Sequence, residues 1–362
     1  MHIVILADPI DNQRAGVHTY TRKLVENLLK IDHENKYTFI HLKENDFFND
    51  KNHYIIPKKN RLGYGSYRKF FLIPRLIKKL KADLVFEPCH IGPFRTKAKK
   101  AVMIHDLTPI LMPQYHEKRS TIVHRLLLKR ILKNSDLILT ASKSTKEDIN
   151  SYIGQSKQVS VVPLGIDFKH EETDMAFFLK RGYPKPKKQA KEPYILYLGT
   201  IEPRKNLETL IDAYLELKIP HKLIIAGEIG WKSAKIVNKA REAGIILTGF
   251  VDEEEKTKLY KNASAFIYPS FYEGFGLPPL EAMANGVPVI CSNTGSLGEI
   301  FGDTALTFDP LDKAELKNCI LAVLENTELH KELVEKGLKF AQNYSWKKTA
   351  RETLKCFEEL KN

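Results

Sequence analysis

Short apolar runs alternate with longer amphipathic stretches along the whole chain. The runs are rich in Val, Ile, Leu and Phe and are bounded by polar or turn-forming residues, which predicts buried strands. In the first half the predicted strands are 2–8, 37–42, 84–88, 102–106, 137–142 and 159–163. In the second half they are 194–199, 223–227, 245–250, 265–270 and 287–292. Helices are predicted between them, notably at 17–30 and 124–132, and this alternation indicates parallel sheets covered by helices.

The alternation is interrupted once, over residues 169–193. This segment is charged and closes with PKPKKQAKEP, a composition typical of a linker. We therefore predict an α/β protein with two Rossmann-like parallel-sheet domains facing a cleft, one at 1–168 and the other at 194–343.

Length and composition fit two soluble domains. The 362 residues are 43% apolar and 28% charged, which is enough for two cores of ordinary size. The four cysteines lie far apart without CxxC or Cys/His spacing, so neither a zinc site nor a disulfide framework is expected. The first apolar run is too short for a signal peptide, and no segment approaches the length of a membrane span. We expect a cytoplasmic protein.

Positive charge is concentrated in the first half of the chain. The net charge is +13, and residues 1–170 hold 30 Lys or Arg against 16 Asp or Glu. Such a surface suits phosphorylated substrates, anionic lipid or nucleic acid, but no nucleic-acid-binding module accompanies it, and we expect no nucleic acid partner. The run at 68–83 pairs an apolar face with six Lys or Arg. It is either an interfacial helix that contacts an anionic membrane at its inner face or an ordinary helix packed on the sheet.

Residues suited to ligand chemistry follow four of the predicted strands. Gly16 comes after the first strand, and His105 closes the strand at 102–106. The segments EPRKN (202–206) and EGFG (273–276) follow two strands of the second domain. Because ligands of doubly wound sheets bind at the carboxyl ends of the strands, these residues predict a ligand-binding cleft. His, Arg, Lys and Glu side chains suit a charged, hydroxyl-rich ligand.

Within SFYEGFGLPPLEAMANG (270–286), two carboxylates bracket a glycine loop. Gly274 and Gly276 allow the backbone to approach a ligand closely, and the two prolines that follow suit the first turn of a helix. Glu273 precedes the loop and Glu281 lies in the opening turns of the helix. The free N–H groups at that helix N-terminus favour an anion or a hydroxyl-rich ligand, and the two acids would fix polar groups beside it.

Three longer stretches carry a family resemblance: GTIEPRKNLETLIDAY (199–214), LTGFVDEEEKTKLY (247–260) and PSFYEGFGLPPLEAMANGVPVI (269–290). With AGVHTYTRKL and VMIHDLTPI upstream, the chain resembles the retaining GT-B glycosyltransferases of family 4 over nearly its whole length. Among these it is most similar to the mannosyltransferases of polysaccharide assembly.

The resemblance implies a hexosyltransferase. It would move mannose from GDP-mannose to a saccharide or lipid-linked acceptor with retention of configuration, and no enzymic nucleophile would be needed. Residues 1–168 would form the acceptor side and residues 194–343 would bind the nucleotide sugar. Residues 344–362 would form a helix that crosses back to the first domain.

The resemblance also assigns residues to the donor nucleotide. Glu281 would hydrogen-bond the ribose, and the backbone of Phe250 and Val251 would hold the base. Gly16 would let the first loop approach the diphosphate.

Other residues are assigned to the transferred sugar and the leaving group. Glu273 would contact sugar hydroxyls near the reacting carbon, and His105 would face the same sugar. Arg204 and Lys205 would neutralise the diphosphate as the nucleotide leaves. Catalytic roles are thus expected for His105, Lys205 and Glu273. The backbone of the glycine loop would hold sugar hydroxyls and phosphate, through Gly274, Phe275, Gly276 and Leu277.

The chain departs from the family pattern at Thr200, where many relatives carry a second basic residue. It also lacks the Asp-x-Asp pair that holds manganese in other nucleotide-sugar enzymes. No metal or other cofactor is therefore expected, and the leaving group would be stabilised by Lys, Arg and a helix N-terminus.

Three other functions compete with this one. Within the same fold, the donor could be a UDP-hexose. A nicotinamide dehydrogenase with twin Rossmann domains is disfavoured, because the first strand is followed by ADPIDNQRAG and not by GxGxxG. A non-catalytic basic scaffold for lipid or polynucleotide is the alternative of another class, and the presence of His105, Lys205 and Glu273 at strand ends argues against it.

Overall fold

The computed structural model describes residues 1–11, 15–61, 63–89, 96–154, 158–167 and 192–361. The chain divides into two compact units. Unit 1 comprises 1–111, 118–165 and 346–362, and unit 2 comprises 112–117 and 166–345. Most of the predicted linker at 169–193 lies outside the described residues. In the described part of the chain, no helix has both the length and the apolar character needed to span a bilayer.

Unit 1 is built on a seven-stranded parallel sheet. Its strands are β1 (His2–Leu6), β2 (Lys36–His41), β3 (His53–Ile55), β4 (Leu84–Glu87), β5 (Lys99–Ile104), β6 (Leu137–Thr140) and β7 (Val159–Val161). Their order across the sheet is β3-β2-β1-β4-β5-β6-β7. Its helices include α1 (Asp8–Asp11), α2 (Ala15–Ile31), α3 (Tyr64–Tyr67), α4 (Ile73–Leu80), α5 (Thr108–Leu111), α6 (Lys118–Asn134) and α7 (Lys143–Ile153). A π-helical turn at Arg68–Leu72 joins α3 to α4, and Asp46–Phe48 is a 3₁₀ turn.

Helices α4 and α6 cover the same face of the unit 1 sheet. Ile73 and Ile77 of α4 pack in the core cluster that holds Val85 of β4, and Leu128 of α6 packs in the cluster that holds Val102 of β5. Val85 is in register with Lys100 on β5, two residues before Val102. Because side chains two residues apart on a strand point to the same side, Val85 and Val102 share one face.

Unit 2 is built on a six-stranded parallel sheet. Its strands are β8 (Tyr194–Leu198), β9 (Lys222–Ala226), β10 (Ile246–Gly249), β11 (Ala265–Tyr268), β12 (Val289–Ser292) and β13 (Leu306–Phe308). Their order is β10-β9-β8-β11-β12-β13, so the winding direction changes between β8 and β11. Its helices include α8 (Leu207–Leu217), α9 (Ala234–Glu242), α10 (Glu253–Asn262), α11 (Leu277–Ala284), α12 (Gly295–Phe301), α13 (Lys313–Glu325) and α14 (Thr327–Ala341). Short 3₁₀ turns lie at Pro113–Tyr115 and Pro203–Lys205.

The C-terminal helix α15 (Trp346–Glu359) belongs to unit 1. Phe357 packs edge-on against Phe86 of β4 with ring centroids 5.2 Å apart, and Trp346 lies 6.4 Å from the ring of Tyr20 on α2. Thr349 also donates a hydrogen bond to the carbonyl of Pro163. Helix α15 therefore packs in the core of unit 1, although it follows unit 2 in the sequence.

The predicted α/β class is confirmed, since both units are Rossmann-like parallel sheets. Each predicted strand overlaps an observed one, but β3 and β13 were not predicted. Both are three-residue edge strands, too short for a periodic signal. Helix α6 begins six residues before the predicted helix at 124–132.

Candidate active site

The candidate site of unit 2 lies where the winding of its sheet reverses. Strands β8 and β11 are neighbours there, so the segments that follow them run side by side at the carboxyl edge. The backbone N–H of Phe271 donates to the carbonyl of Arg204 across 3.0 Å. This bond aligns the EPRKN segment with the segment that carries Glu273.

Two cations meet the carboxylate of Glu273. Its Oε1 lies 2.6 Å from Nζ of Lys205 and 3.0 Å from Nη1 of Arg204. All three side chains are almost completely buried. Burial alone would raise the pKa of Glu273, but the two cations hold it below its usual value. Nζ of Lys205 also donates to the hydroxyl of Tyr268 at 2.8 Å.

Arg204 is itself fixed by three acceptors. Its Nη2 donates to Oε1 of Glu202 at 2.7 Å, and its Nη1 donates to the carbonyl of Tyr272 at 2.6 Å, in addition to its ion pair with Glu273. Glu202 is buried, and that burial raises its pKa. The chain has threonine at position 200, but the guanidinium of Arg204 supplies a second positive charge beside Lys205. The arrangement holds two cations and two carboxylates within one buried cluster.

The glycine loop leads directly into α11. Gly276 has φ +105°, and a Cβ there would lie 2.8 Å from Leu297 and Phe301, so only glycine fits this position. Leu277 begins the helix, with prolines in its first turn. Gly274 and Phe275 are buried, and the ring of Phe275 packs edge-on against Tyr344. The loop therefore presents backbone N–H groups at the start of a helix, an arrangement suited to anionic oxygen atoms.

Glu281 lies on α11 and is held by two residues of α10. Nζ of Lys256 is 2.8 Å from its Oε1, and the hydroxyl of Tyr260 donates to its Oε2 at 3.1 Å. Lys256 also pairs with Glu253 at 2.9 Å. Burial would lower the pKa of Lys256, but the carboxylates of Glu281 and Glu253 raise it. No pattern in the sequence singles out Lys256, although it lies within the family-like stretch at 247–260.

Phe250 and Val251 follow β10 and precede α10. The side chain of Phe250 is 67% exposed, an uncommon setting for an aromatic ring at a strand end. Lys256 lies on the helix that begins two residues after Val251. The base-binding and ribose-binding residues predicted from the resemblance are thus connected through one short segment.

Two of the predicted site residues belong to unit 1. His105 follows β5 directly, and its Nε2 donates to the carbonyl of Pro88 at 2.9 Å. Its ring packs edge-on against Tyr20 with centroids 5.0 Å apart. Burial lowers the pKa of His105, which favours the neutral imidazole. Gly16 is exposed in the first turn of α2, and the loop before it, residues 12–14, lies outside the described residues.

No pattern in the sequence predicts the role of the short segment Met112–Glu117, here called the inserted segment. Although α5 and α6 on either side belong to unit 1, the inserted segment belongs to unit 2. Its Tyr115 ring stacks on Phe271 with centroids 5.2 Å apart, and Nε1 of Trp231 donates to the Tyr115 carbonyl at 2.6 Å. Lys232 donates to the carbonyls of Gln114 and His116 at 2.8 and 2.7 Å. Phe271 is two residues from Glu273, so the inserted segment packs directly against the loop that carries this acid.

Fold and site together define a glycosyltransferase of the GT-B class. Residues 183–340 match the model of glycosyl transferases group 1, and residues 14–170 match that of glycosyltransferase family 4. The chain is 30% identical to the O-antigen chain mannosyltransferase B of Escherichia coli, over 99% of this chain and 100% of that protein. It therefore belongs to the family 4, group 1 glycosyltransferases.

Solved structures agree with this assignment at the level of the fold. A sucrose-phosphate synthase from Thermosynechococcus elongatus superposes with a TM-score of 0.76 at 21% identity, over 99% of both chains. HepE from Anabaena, solved in complex with UDP and glucose, superposes with a TM-score of 0.74 at 15% identity, over 99% of this chain and 100% of that one.

Proposed function

We propose that this protein transfers a hexose, best assigned as mannose from GDP-mannose, to a saccharide or lipid-linked acceptor in polysaccharide biosynthesis, with retention of configuration. The observation that carries the proposal is the convergence of Lys205 and Arg204 on Glu273 beside the N-terminus of α11. The similarity to an O-antigen mannosyltransferase over the full chain supports the choice of sugar.

The chemistry follows from where charge develops during transfer. When the glycosidic bond breaks, the diphosphate gains negative charge and the anomeric carbon gains positive character. Lys205 and Arg204 would stabilise the diphosphate, together with the N–H groups of the glycine loop. Glu273 would bind sugar hydroxyls and support the positive character of the ring. The leaving phosphate would accept the acceptor proton on the same face, which accounts for retention without an enzymic nucleophile.

Glu273 also keeps the two cations in place before the donor arrives. Buried cations without a partner would be strongly destabilised, so an empty phosphate site needs a carboxylate nearby. Donor binding would then shift Lys205 and Arg204 toward the diphosphate and leave Glu273 free to accept hydrogen bonds from the sugar. The same three residues would thus serve both the free and the donor-bound enzyme.

Glu281 would hold the ribose. Lys256 and Tyr260 fix its carboxylate, and α10 joins it to the proposed base site at Phe250 and Val251. His105 would face the transferred sugar as a neutral imidazole, and Gly16 would lie near the diphosphate.

We further propose that transfer needs no metal ion. Two fixed cations and a helix N-terminus can supply the leaving-group stabilisation that Mn²⁺ gives to enzymes with an Asp-x-Asp pair. Unchanged turnover after dialysis against EDTA would support this, and restoration of lost turnover by Mn²⁺ or Mg²⁺ would contradict it. The enzyme would act in the cytoplasm, at the inner face of the membrane if the acceptor is lipid-linked.

The donor is tested by thermal unfolding and turnover with a panel of nucleotide sugars. GDP-mannose should raise the Tm more than UDP-glucose or UDP-N-acetylglucosamine, and only GDP-mannose should release its nucleotide at a measurable rate. A clear preference for a uridine donor would overturn the mannose assignment but keep the reaction class. The complex of HepE with UDP and glucose makes a UDP-hexose the second candidate. No turnover or stabilisation with any nucleotide sugar would overturn the transferase proposal itself.

A further inference from the structure

Helix α6 exposes two large apolar side chains to solvent. Ile122 is 56% exposed and Leu126 is 72% exposed, and they lie one turn apart on the same face. The opposite face already supplies the core, since Leu128, Ile131 and Leu132 are buried in unit 1. The exposed pair is therefore not needed for packing within the described part of the chain.

Every charged residue of α6 is basic. The helix contains no Asp or Glu. Its cations are all exposed, and none of them pairs with a carboxylate among the residues that the structure describes. Because an α-helix turns about 100° per residue, these cations lie on both sides of the line through Ile122 and Leu126. They are Lys118, Arg119, Arg125, Lys129, Arg130 and Lys133.

Helix α4 and the turn before it show the same combination of exposed cations and an exposed apolar side chain. It covers the same face of the sheet as α6, so the solvent sides of the two helices point in the same direction. Arg75, Lys78 and Lys79 are exposed, and the exposed ring of Phe71 in the preceding turn lies beneath the guanidinium of Arg75. Residues 64–81 contain no acid either. We call the combined outer face of 71–79 and 118–133 the basic two-helix surface.

We propose that the basic two-helix surface docks on an anionic lipid bilayer, with Ile122, Leu126 and Phe71 entering the interface and the surrounding cations contacting headgroup phosphates. Helices whose apolar side chains are flanked only by cations bind at the interface of an anionic bilayer, with the apolar groups at the boundary between headgroups and acyl chains. Nucleic acid would match the cations but would leave the aliphatic pair in water. An acidic protein would do the same unless it brought its own apolar groups, so a bilayer accounts for both features at once.

This inference goes beyond the proposed transfer reaction and does not depend on it. The sequence indicates membrane contact only for the run at 68–83. The structure adds α6, whose exposed leucine is the more accessible apolar group, and places both helices on one face. The residues of the basic two-helix surface are separate from the donor residues of unit 2, so binding to lipid and binding to nucleotide can be measured independently.

The test is flotation of the full-length protein with vesicles of phosphatidylcholine, alone or mixed with phosphatidylglycerol. The protein should bind only the anionic vesicles, and binding should weaken as salt rises. The double variant Ile122→Asn with Leu126→Asn should bind at least about tenfold more weakly, because apolar insertion is lost. Leu311→Asn is the matched control, since Leu311 is 81% exposed in unit 2. It should bind as the parent does.

The contribution of positive charge is tested with two further double variants. Lys129→Gln with Arg130→Gln should weaken binding, whereas Lys235→Gln with Lys258→Gln removes the same charge from unit 2 and should not. Circular dichroism and nucleotide calorimetry should give parental results for all four variants, which separates this inference from the proposed function. No binding to anionic vesicles at low salt would overturn it. So would equal loss in the control variants, or charge dependence with no effect of Ile122 and Leu126, since either would indicate a general polyanion surface.

Discussion

The ammonium of Lys205 lies 2.6 Å from a carboxylate oxygen of Glu273, and both residues are almost completely buried. A second cation, Arg204, reaches the same oxygen. Glu273 thus pairs with both of the groups that are proposed to bind the diphosphate. Replacement of Glu273 should therefore affect turnover more than nucleotide binding.

Glu273→Gln should lower kcat by about 100-fold without weakening binding of the bare nucleotide, because the contact with the sugar strengthens in the transition state and the lost carboxylate competes with the diphosphate for the two cations. Steady-state kinetics beside titration calorimetry measures both quantities. Normal turnover in the variant would mean that Glu273 only supports the loop. Glu273→Asp is a useful companion, since it keeps the charge but shortens the reach.

Glu281→Gln should mainly weaken nucleotide binding, by about tenfold or more, since a hydrogen bond to a charged group is lost in ground and transition states alike. KM for the donor should rise more than kcat falls. Calorimetry with GDP checks this directly. If the variant binds GDP with the parental affinity, Glu281 does not hold the ribose.

Lys256→Met should reproduce part of the Glu281 effect without touching the ligand contact itself. The carboxylate would keep Tyr260 but lose its ion pair, so its orientation would be less well fixed. We expect nucleotide Kd to rise by about three- to tenfold, in line with the loss of one partly buried charged hydrogen bond. Lys258→Met on the same helix, whose amine pairs with the exposed Glu254, is the control and should leave Kd unchanged. Equal affinities for the two variants would contradict a positioning role for Lys256.

Glu87→Gln should stabilise the protein at high pH and leave its stability nearly unchanged at pH 5. Burial raises the pKa of Glu87 to about 8 in the folded state, above its ordinary value of 4.5. The folded state therefore holds a proton that the unfolded state releases, and folding stability falls as pH rises between these two values. Between pH 5 and pH 9 the free energy of unfolding of the parent should fall below that of the variant by at most about 5 kcal/mol. The Tm of the variant should match the parent at pH 5 and exceed it at pH 9, and a constant gap would contradict the prediction.

Tyr115→Ala should lower kcat by about three- to tenfold with a small loss of Tm, because an aromatic pair contributes about 0.5–1.5 kcal/mol. The lost ring supports Phe271, whose backbone is bonded to Arg204. Tyr115→Phe keeps the stacked ring and should behave as the parent. Equal effects of the two substitutions would place the importance in the hydroxyl group and not in the stack.

Sequence reasoning was strongest where local pattern decides structure. Eleven of the thirteen strands that the structure describes follow from short apolar runs, and the glycine loop ahead of a helix could be recognised from its composition. The fold class followed from these elements alone.

The remaining features depend on contacts that the sequence does not display. Lys256 lies in the highly charged helix EEEKTKLYKN, where every lysine looks solvated, and only the position of α11 brings it to Glu281. Similarly, the run LLL at 126–128 looks like core. A helix turns about 100° per residue, so it buries Leu128 and exposes Leu126.

The inserted segment also determines how this enzyme can be cut and recombined. A fragment spanning 166–345 would leave the indole N–H of Trp231 and the ammonium of Lys232 without the carbonyls of residues 114–116. A chimera that exchanges only that continuous stretch with a relative would set a foreign part of unit 2 against this chain's Tyr115. Exchange of the whole of unit 2 between such enzymes would therefore require two pieces of sequence, one of them six residues long.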